Sequence, residues 1–252
     1  MKKDWNDSFF RGNPFRSGLS QQQPTVQQYP LPEMIKTLAA LTQEQWGLYA
    51  FSREPLRGRI DRQARLELTA QAVACGQQQA RALRSSYGGL SPAGCAEKLG
   101  LEVRREPQAN DGGFVIFAQF KPPRQLTLFT DCLKQAQTLL GQYHGLPIRS
   151  VQEIENLLLA HELFHYLEQQ EATLFTRAYR LPLWKLGPFH SSSRVGCLSE
   201  IAGMAFAAAF CGTAYVPYLL DVFLVYGYQP DAACNLYEGI LRVTQAPNEE
   251  EG

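Results

Sequence analysis

Residues 151–170, "VQEIENLLLAHELFHYLEQQ", constrain the fold of this chain more than any other stretch. At 100° per residue, Ile154, Leu157, Leu158, Leu159, Ala160, Leu163, Phe164 and Leu167 occupy most of a helix circumference. A helix that is apolar on nearly every side has no solvent face, so other elements must surround it. Ser150 and Glu153 stand at S-x-x-E spacing just before the apolar run. That capping-box pattern predicts a helix start near Val151.

Into this central helix the sequence sets His161, Glu162 and His165. Burying two imidazoles and a carboxylate is costly unless each is paired or metal-bound. Positions i and i+4 share one helix face, so both imidazoles can aim at one point. Zn–N bonds of about 2.0–2.1 Å suit that spacing. Glu162 is rotated about 100° from His161. It can stand beside a metal without ligating it and take a proton from water. The competing reading, two satisfied core histidines, has to find partners for all three groups.

Zinc requires a third protein ligand and leaves a fourth position for water. The H-E-x-x-H-x-x-G-x-x-H option is excluded because Glu168 occupies the glycine slot and Glu171 the last histidine slot. A later segment, "GCLSEIAGMAFAAAF", offers Glu200, with Gly196, Gly203 and Ala207 on the same helix face. Such small residues permit close approach of a second helix. By spacing alone, Glu200 serves equally well as an acidic residue favoured in a first helical turn. Glu168 and His190 remain further candidates for the third ligand. His190 is also a candidate oxyanion or substrate contact.

Residues 1–30 are rich in Gln, Pro, Ser and Gly and predict a flexible lead. Residues 31–90 read as helical, stopping at Gly88-Gly89. Ser91 as N-cap, Pro92 at the first helical position and Gly100 at the end delimit a short helix. "LEVRRE", "GGFVIFAQF" (112–120) and "QLTLFT" (125–130) read as strands, the last two joined at "KPPR". No recognition helix follows "AEKLGL", so direct DNA reading is not expected. A helix over Asp131–His144 comes next. The segment 172–196, with Leu181, Leu183, Trp184, Leu186 and Phe189, reads as an irregular apolar loop packed over the cleft as a lid.

Twenty-four basic and twenty-four acidic residues leave no net field toward nucleic acid or an anionic membrane. The uncharged run Ile201–Leu220 is long enough to span a bilayer. Gly203, Gly212, Thr213, Pro217 and an alanine cluster point instead to two buried helices with a break near Gly212. The six scattered cysteines, Cys75, Cys95, Cys132, Cys197, Cys211 and Cys234, read as single buried thiols in a reducing compartment. The start "MKKDWNDSFFRGNPF" has no apolar secretory core, so a cytoplasmic location is expected. The C-terminal tyrosines read as core packing and "NEEEG" as a solvated end.

"AEKLGLEV", "GGFVIF", "QLTLFT", "AHELFHYLE" and "SEIAGMAFA" in this order resemble the ImmA/IrrE-type metallopeptidase domain, a small gluzincin-like zincin, over about residues 91–212. The resemblance implies an α+β, zincin-like fold over residues 91–245, mainly helical, with a small mixed β-sheet packed on the active-site helix. It implies His161, His165 and Glu200 as zinc ligands and Glu162 as the base. The expected activity is hydrolysis of a peptide bond in a specific intracellular protein, with a transcriptional regulator as the partner the family suggests. The alternative is a non-catalytic zincin-fold binding module. Against it stands Glu162, a base with no chemical use in a retired peptidase. The segment 172–196 and the first ninety residues, which carry no helix-turn-helix domain, lie outside the resemblance.

Overall fold

The computed structural model describes residues 27–107, 116–186 and 189–245. Three helices come first: α1 (Leu31–Ala39), α2 (Gln43–Ser52) and α3 (Arg62–Tyr87). Thr42 and Gln45 close a reciprocal capping box on α2, and the Asp61 side chain accepts from Ala64 N at the start of α3. Gly88, at φ 63°, ends α3 where a side chain would be strained. The short helix α4 (Pro92–Lys98) has the expected Ser91 cap, which accepts from Gly94 N.

Strands β1 (Glu102–Glu106), β2 (Ala118–Lys121) and β3 (Gln125–Phe129) form a mixed sheet in the order β1-β3-β2. β1 runs parallel to β3, and β2 runs antiparallel to it. The strand expected over 112–120 is thus described only from its second half, because residues 112–115 lie outside the described residues. Helix α5 (Thr130–Gln142) follows β3 directly and ends two residues before the expected His144.

The central helix α6 (Val151–Gln170) begins where its cap predicts, with Ser150 accepting from Glu153 N. The reciprocal half of the box is replaced. Glu153 Oε2 accepts from Arg149 N and Nε at 2.9 Å each, and Oε1 accepts from Tyr215 Oη at 2.8 Å. The buried carboxylate is thus satisfied by a guanidinium, a phenol and the Arg149 backbone N–H. Every apolar residue named above on α6 is buried except Leu167, which is half-buried. Its neighbours are β2, β3, α4, α5 and, most extensively, α8 (Cys197–Cys211). One hydrophobic core runs from Leu31 to Ile240, so α1–α3 pack onto the same interior as the remainder.

α3 lies along α8. At Gly76 a Cβ would fall 2.0 Å from the Ala202 carbonyl oxygen. Only glycine permits that crossing distance, so α3 braces the far side of α8.

The segment 172–196 is not an irregular lid. It forms a short helix α7 (Phe175–Ala178) and a hairpin of β4 (Leu181–Leu186) and β5 (Phe189–Ser193). Leu181 is buried and anchors the base, but Trp184 and Phe189 are 56% and 69% exposed instead of covering a cleft. Serines opposite the apolar strand satisfy its backbone through cross-strand pairing, which an irregular loop could not do.

The uncharged run 201–220 breaks as expected. α8 ends at Cys211, Gly212 takes the left-handed conformation, and α9 (Leu219–Tyr226) begins afresh, followed by α10 (Pro230–Thr244). No helix among the described residues is long and apolar enough to cross a membrane. All six cysteines are free, five of them buried.

Candidate metal centre

α6 and α8 pack side by side, and each brings part of one polar cluster into the apolar interior. His161 and His165 lie one turn apart on α6, with their Nε2 atoms 2.9 Å from each other. Glu200, in the first turn of α8, places Oε2 3.3 Å from His161 Nε2 and Oε1 3.6 Å from His165 Nε2. Four-coordinate zinc with bonds of about 2.0–2.1 Å separates its ligand atoms by roughly 3.3 Å. The donor set and its spacing therefore fit one small divalent ion. His161 is fully buried and Glu200 is 7% exposed, while the His165 side chain is 11% exposed.

Gly203 is what lets the helices close to this distance. It sits three residues after Glu200, and a Cβ there would stand 3.0 Å from both Cε1 and Nδ1 of His161.

The other side of His165 is held as well. Ser199 Oγ lies 3.3 Å from its Nδ1 and donates to Glu168 Oε2 at 2.7 Å. Glu168 Oε2 is 3.8 Å from the same Nδ1, and its other oxygen accepts from Thr176 Oγ1. A carboxylate beside Nδ1 favours the proton there and leaves Nε2 facing the shared point. Burial pushes the His165 imidazolium down, but Glu200, Glu168 and Glu162 outweigh it and hold its pKa at about 9. Burial raises the Glu168 carboxyl, yet His165, Thr176 and Ser199 bring it below the ordinary range. The pocket is thus built to hold positive charge, as a proton or as a metal.

Glu162 does not join the ligand group. Its carboxylate Oε2 accepts from the backbone N–H of Phe120 at 2.6 Å. Among the described residues β2 pairs with β3 alone, and the Phe120 N–H lies on its other edge. The edge strand thereby fixes the carboxylate orientation and runs alongside the cluster.

Behind Glu200 lies a second set of polar residues. Glu54, 3% exposed, accepts from Cys197 N at 3.1 Å and from Leu56 N at 3.1 Å, so it caps the start of α8. Burial raises Asp221 to about 7, opposed by the Arg53 guanidinium and reinforced by Glu200. Burial likewise pushes the Tyr218 hydroxyl well above its ordinary value, with Glu200 adding to it.

Among the described residues, the one group of potential ligand atoms within 4.8 Å of one another is His161, His165 and Glu200. His190 does not join it. It lies exposed on β5 opposite Lys185. Glu168 stands one step back, against Nδ1 of His165. Its i+3 spacing from His165 could have suggested that role. The Phe120 N–H and Glu54 contacts are long-range and have no local sequence signal. A cleft lined by Arg84, Arg149, Glu153 and Phe210 lies at the amino end of α6. It is roughly 18 Å along the helix from His165, so it is separate from this centre. No family model, curated protein or solved structure matches the chain.

Proposed function

We propose that this chain is a zinc-dependent endopeptidase of zincin-like fold, related in design to the ImmA/IrrE-type metallopeptidases. One observation carries the reading: His161, His165 and Glu200 converge on one point beside a buried carboxylate, Glu162, that is held by a sheet edge. A zinc ion there supplies Lewis-acid polarisation of a water and of a substrate carbonyl.

The chain's own residues do the rest. Glu162 accepts a proton from the attacking water and returns it to the leaving amine. The Phe120 N–H keeps Oε2 of Glu162 in place, so little reorganisation accompanies the transfer. Glu168 and Ser199 fix the ring of His165. The free edge of β2 offers backbone groups along which an extended polypeptide can pair. The bond to Phe120 N–H would serve a module that only bound protein or metal equally well, so hydrolysis lost in Glu162→Gln is what separates the two readings.

Incubating the zinc-loaded chain with an unfolded protein and with peptide mixtures, and mapping new termini by mass spectrometry, tests this. Cleavage that stops with a chelator and is absent in Glu162→Gln is the expected result. Products formed equally by wild type and Glu162→Gln would contradict it.

A further inference from the structure

Three large apolar side chains are exposed among the described residues, and two of them, Trp184 and Phe189, sit on the β4–β5 hairpin. The foot of that hairpin is ringed by arginines. Leu181 pairs with Ser193 in the ladder, so Arg180 and Arg194, the next residues out, flank the base opposite each other. Arg180 donates from Nη1 to the Arg177 carbonyl oxygen at 2.7 Å, which brings Arg177 into the same cluster. Arg59 reaches the outer edge of β4 and donates to the Leu183 carbonyl oxygen at 2.9 Å.

Where these four guanidiniums bond at all, they bond to backbone carbonyls. No carboxylate among the described residues forms an ion pair with any of them. Glu168, which acts on Arg194 through space, is hydrogen-bonded or paired to Ser199, Thr176 and His165. Burial and then the neighbouring Arg180 and Arg177 hold the Arg194 guanidinium below its ordinary range, and Glu168 only partly opposes them. A neutral chain that concentrates cations without ion-pair partners among the described residues beside exposed aromatics has a surface complementary to an acidic, partly apolar partner.

This surface adjoins the metal centre. Arg177 Nη1 donates to the Glu168 and Gln169 carbonyl oxygens at the end of α6, one turn beyond His165. β5 leads within four residues into α8, which carries Glu200. We propose that Arg59, Arg177, Arg180 and Arg194, with Trp184 and Phe189, dock an acidic stretch of the polypeptide substrate and present an adjoining segment to the metal centre. The proposal rests on the peptidase reading for the identity of the bound chain as substrate. A nucleic acid fits less well, because specific polyanion binders neutralise roughly 6–10 phosphates and this chain has no net positive field. An anionic membrane surface is the competing occupant for a local basic cluster, and phosphatidylserine vesicles stand for it in the binding test.

The test uses full-length Glu162→Gln, so that bound peptide is not consumed. Fluorescence anisotropy compares four probes: a labelled peptide with a glutamate run beside leucine, its lysine counterpart, a single-stranded DNA oligonucleotide and phosphatidylserine vesicles. The glutamate peptide should bind best and weaken as salt rises. Adding Arg180→Glu and Arg194→Glu should weaken it about tenfold or more, at unchanged zinc content. Arg180→Gln with Arg194→Gln should act in the same direction, which guards against a folding defect in the charge reversal. Equal binding of the lysine peptide, tighter binding of DNA or vesicles, or indifference to both arginine pairs would overturn the proposal. Because binding is read without hydrolysis, the two readings fail separately. Binding with no cleavage by wild type contradicts the peptidase, whereas cleavage indifferent to acidic sequence contradicts the docking surface.

Discussion

The backbone N–H of Phe120 and the carboxylate of Glu162 are 2.6 Å apart, although 42 residues separate them in the chain. The contact ties the edge strand of the sheet to the helix that carries both histidines, so the position of the base depends on sheet docking as much as on α6. In Glu162→Gln the amide oxygen can still accept from Phe120, and the fold and metal should survive. A neutral amide cannot take a proton from water. Turnover should therefore fall by about 10²–10⁴, measured as kcat on a peptide that the wild type cleaves, with the thermal midpoint unchanged within a few degrees.

Ser199 and Glu168 act on the metal through His165. Ser199→Ala and Glu168→Gln should each lower zinc affinity by roughly 10–100-fold without removing a ligand. Competition with a chromophoric chelator measures this. Unchanged affinity in both variants would show that the ring of His165 is held by α6 packing alone.

Gly203→Ala separates stability from function. Alanine is the better helix former by about 0.5–1 kcal/mol, but its Cβ would stand 3.0 Å from two ring atoms of His161. The ring has to yield by a few tenths of an ångström. Zinc affinity should drop by about tenfold while denaturant midpoints of the metal-free protein change little. Full affinity in Gly203→Ala would mean that the helices can separate without cost to the centre.

Asp221 makes stability pH-dependent. Burial first, with Glu200 adding, lifts its folded pKa to about 7 against an ordinary carboxyl near 4. Between those values the folded state binds a proton that the unfolded state has lost, so this group's contribution to stability falls as pH rises from about 4 to 7. Asp221→Asn should flatten that decline in the metal-free protein and gain relative to wild type above pH 7. Urea unfolding at pH 5 and pH 8 provides the comparison, and parallel declines in both proteins would contradict the assignment.

Much of this centre was legible in the sequence because its signals are local. The i, i+4 spacing of His161 and His165, the adjacent Glu162 and the apolar circumference of α6 all fall within one helix. Gly203 marked the face of Glu200 because small residues repeat at helical spacing. The hairpin at 181–193 was not legible: Pro182 and a bulge between Pro182 and Trp184 interrupt the period-two alternation that reveals a strand. Beyond Phe189, its serine-rich second strand carries no β-branched residue and no further Phe, Tyr or Trp. The reach of Glu54 to Cys197 N and of Tyr215 to Glu153 spans 143 and 62 residues, and tertiary packing alone determines such partners.

The central claim is that one metal ion is held by two histidines on α6 and a glutamate on α8. Elemental analysis of the purified chain after zinc loading and removal of excess ion tests it most directly. Wild type and Glu162→Gln should each retain about one zinc per chain. His165→Ala and Glu200→Ala should retain almost none, with far-ultraviolet circular dichroism confirming that both remain folded. A folded Glu200→Ala protein that keeps full zinc occupancy, or a wild type that keeps none, would contradict the account.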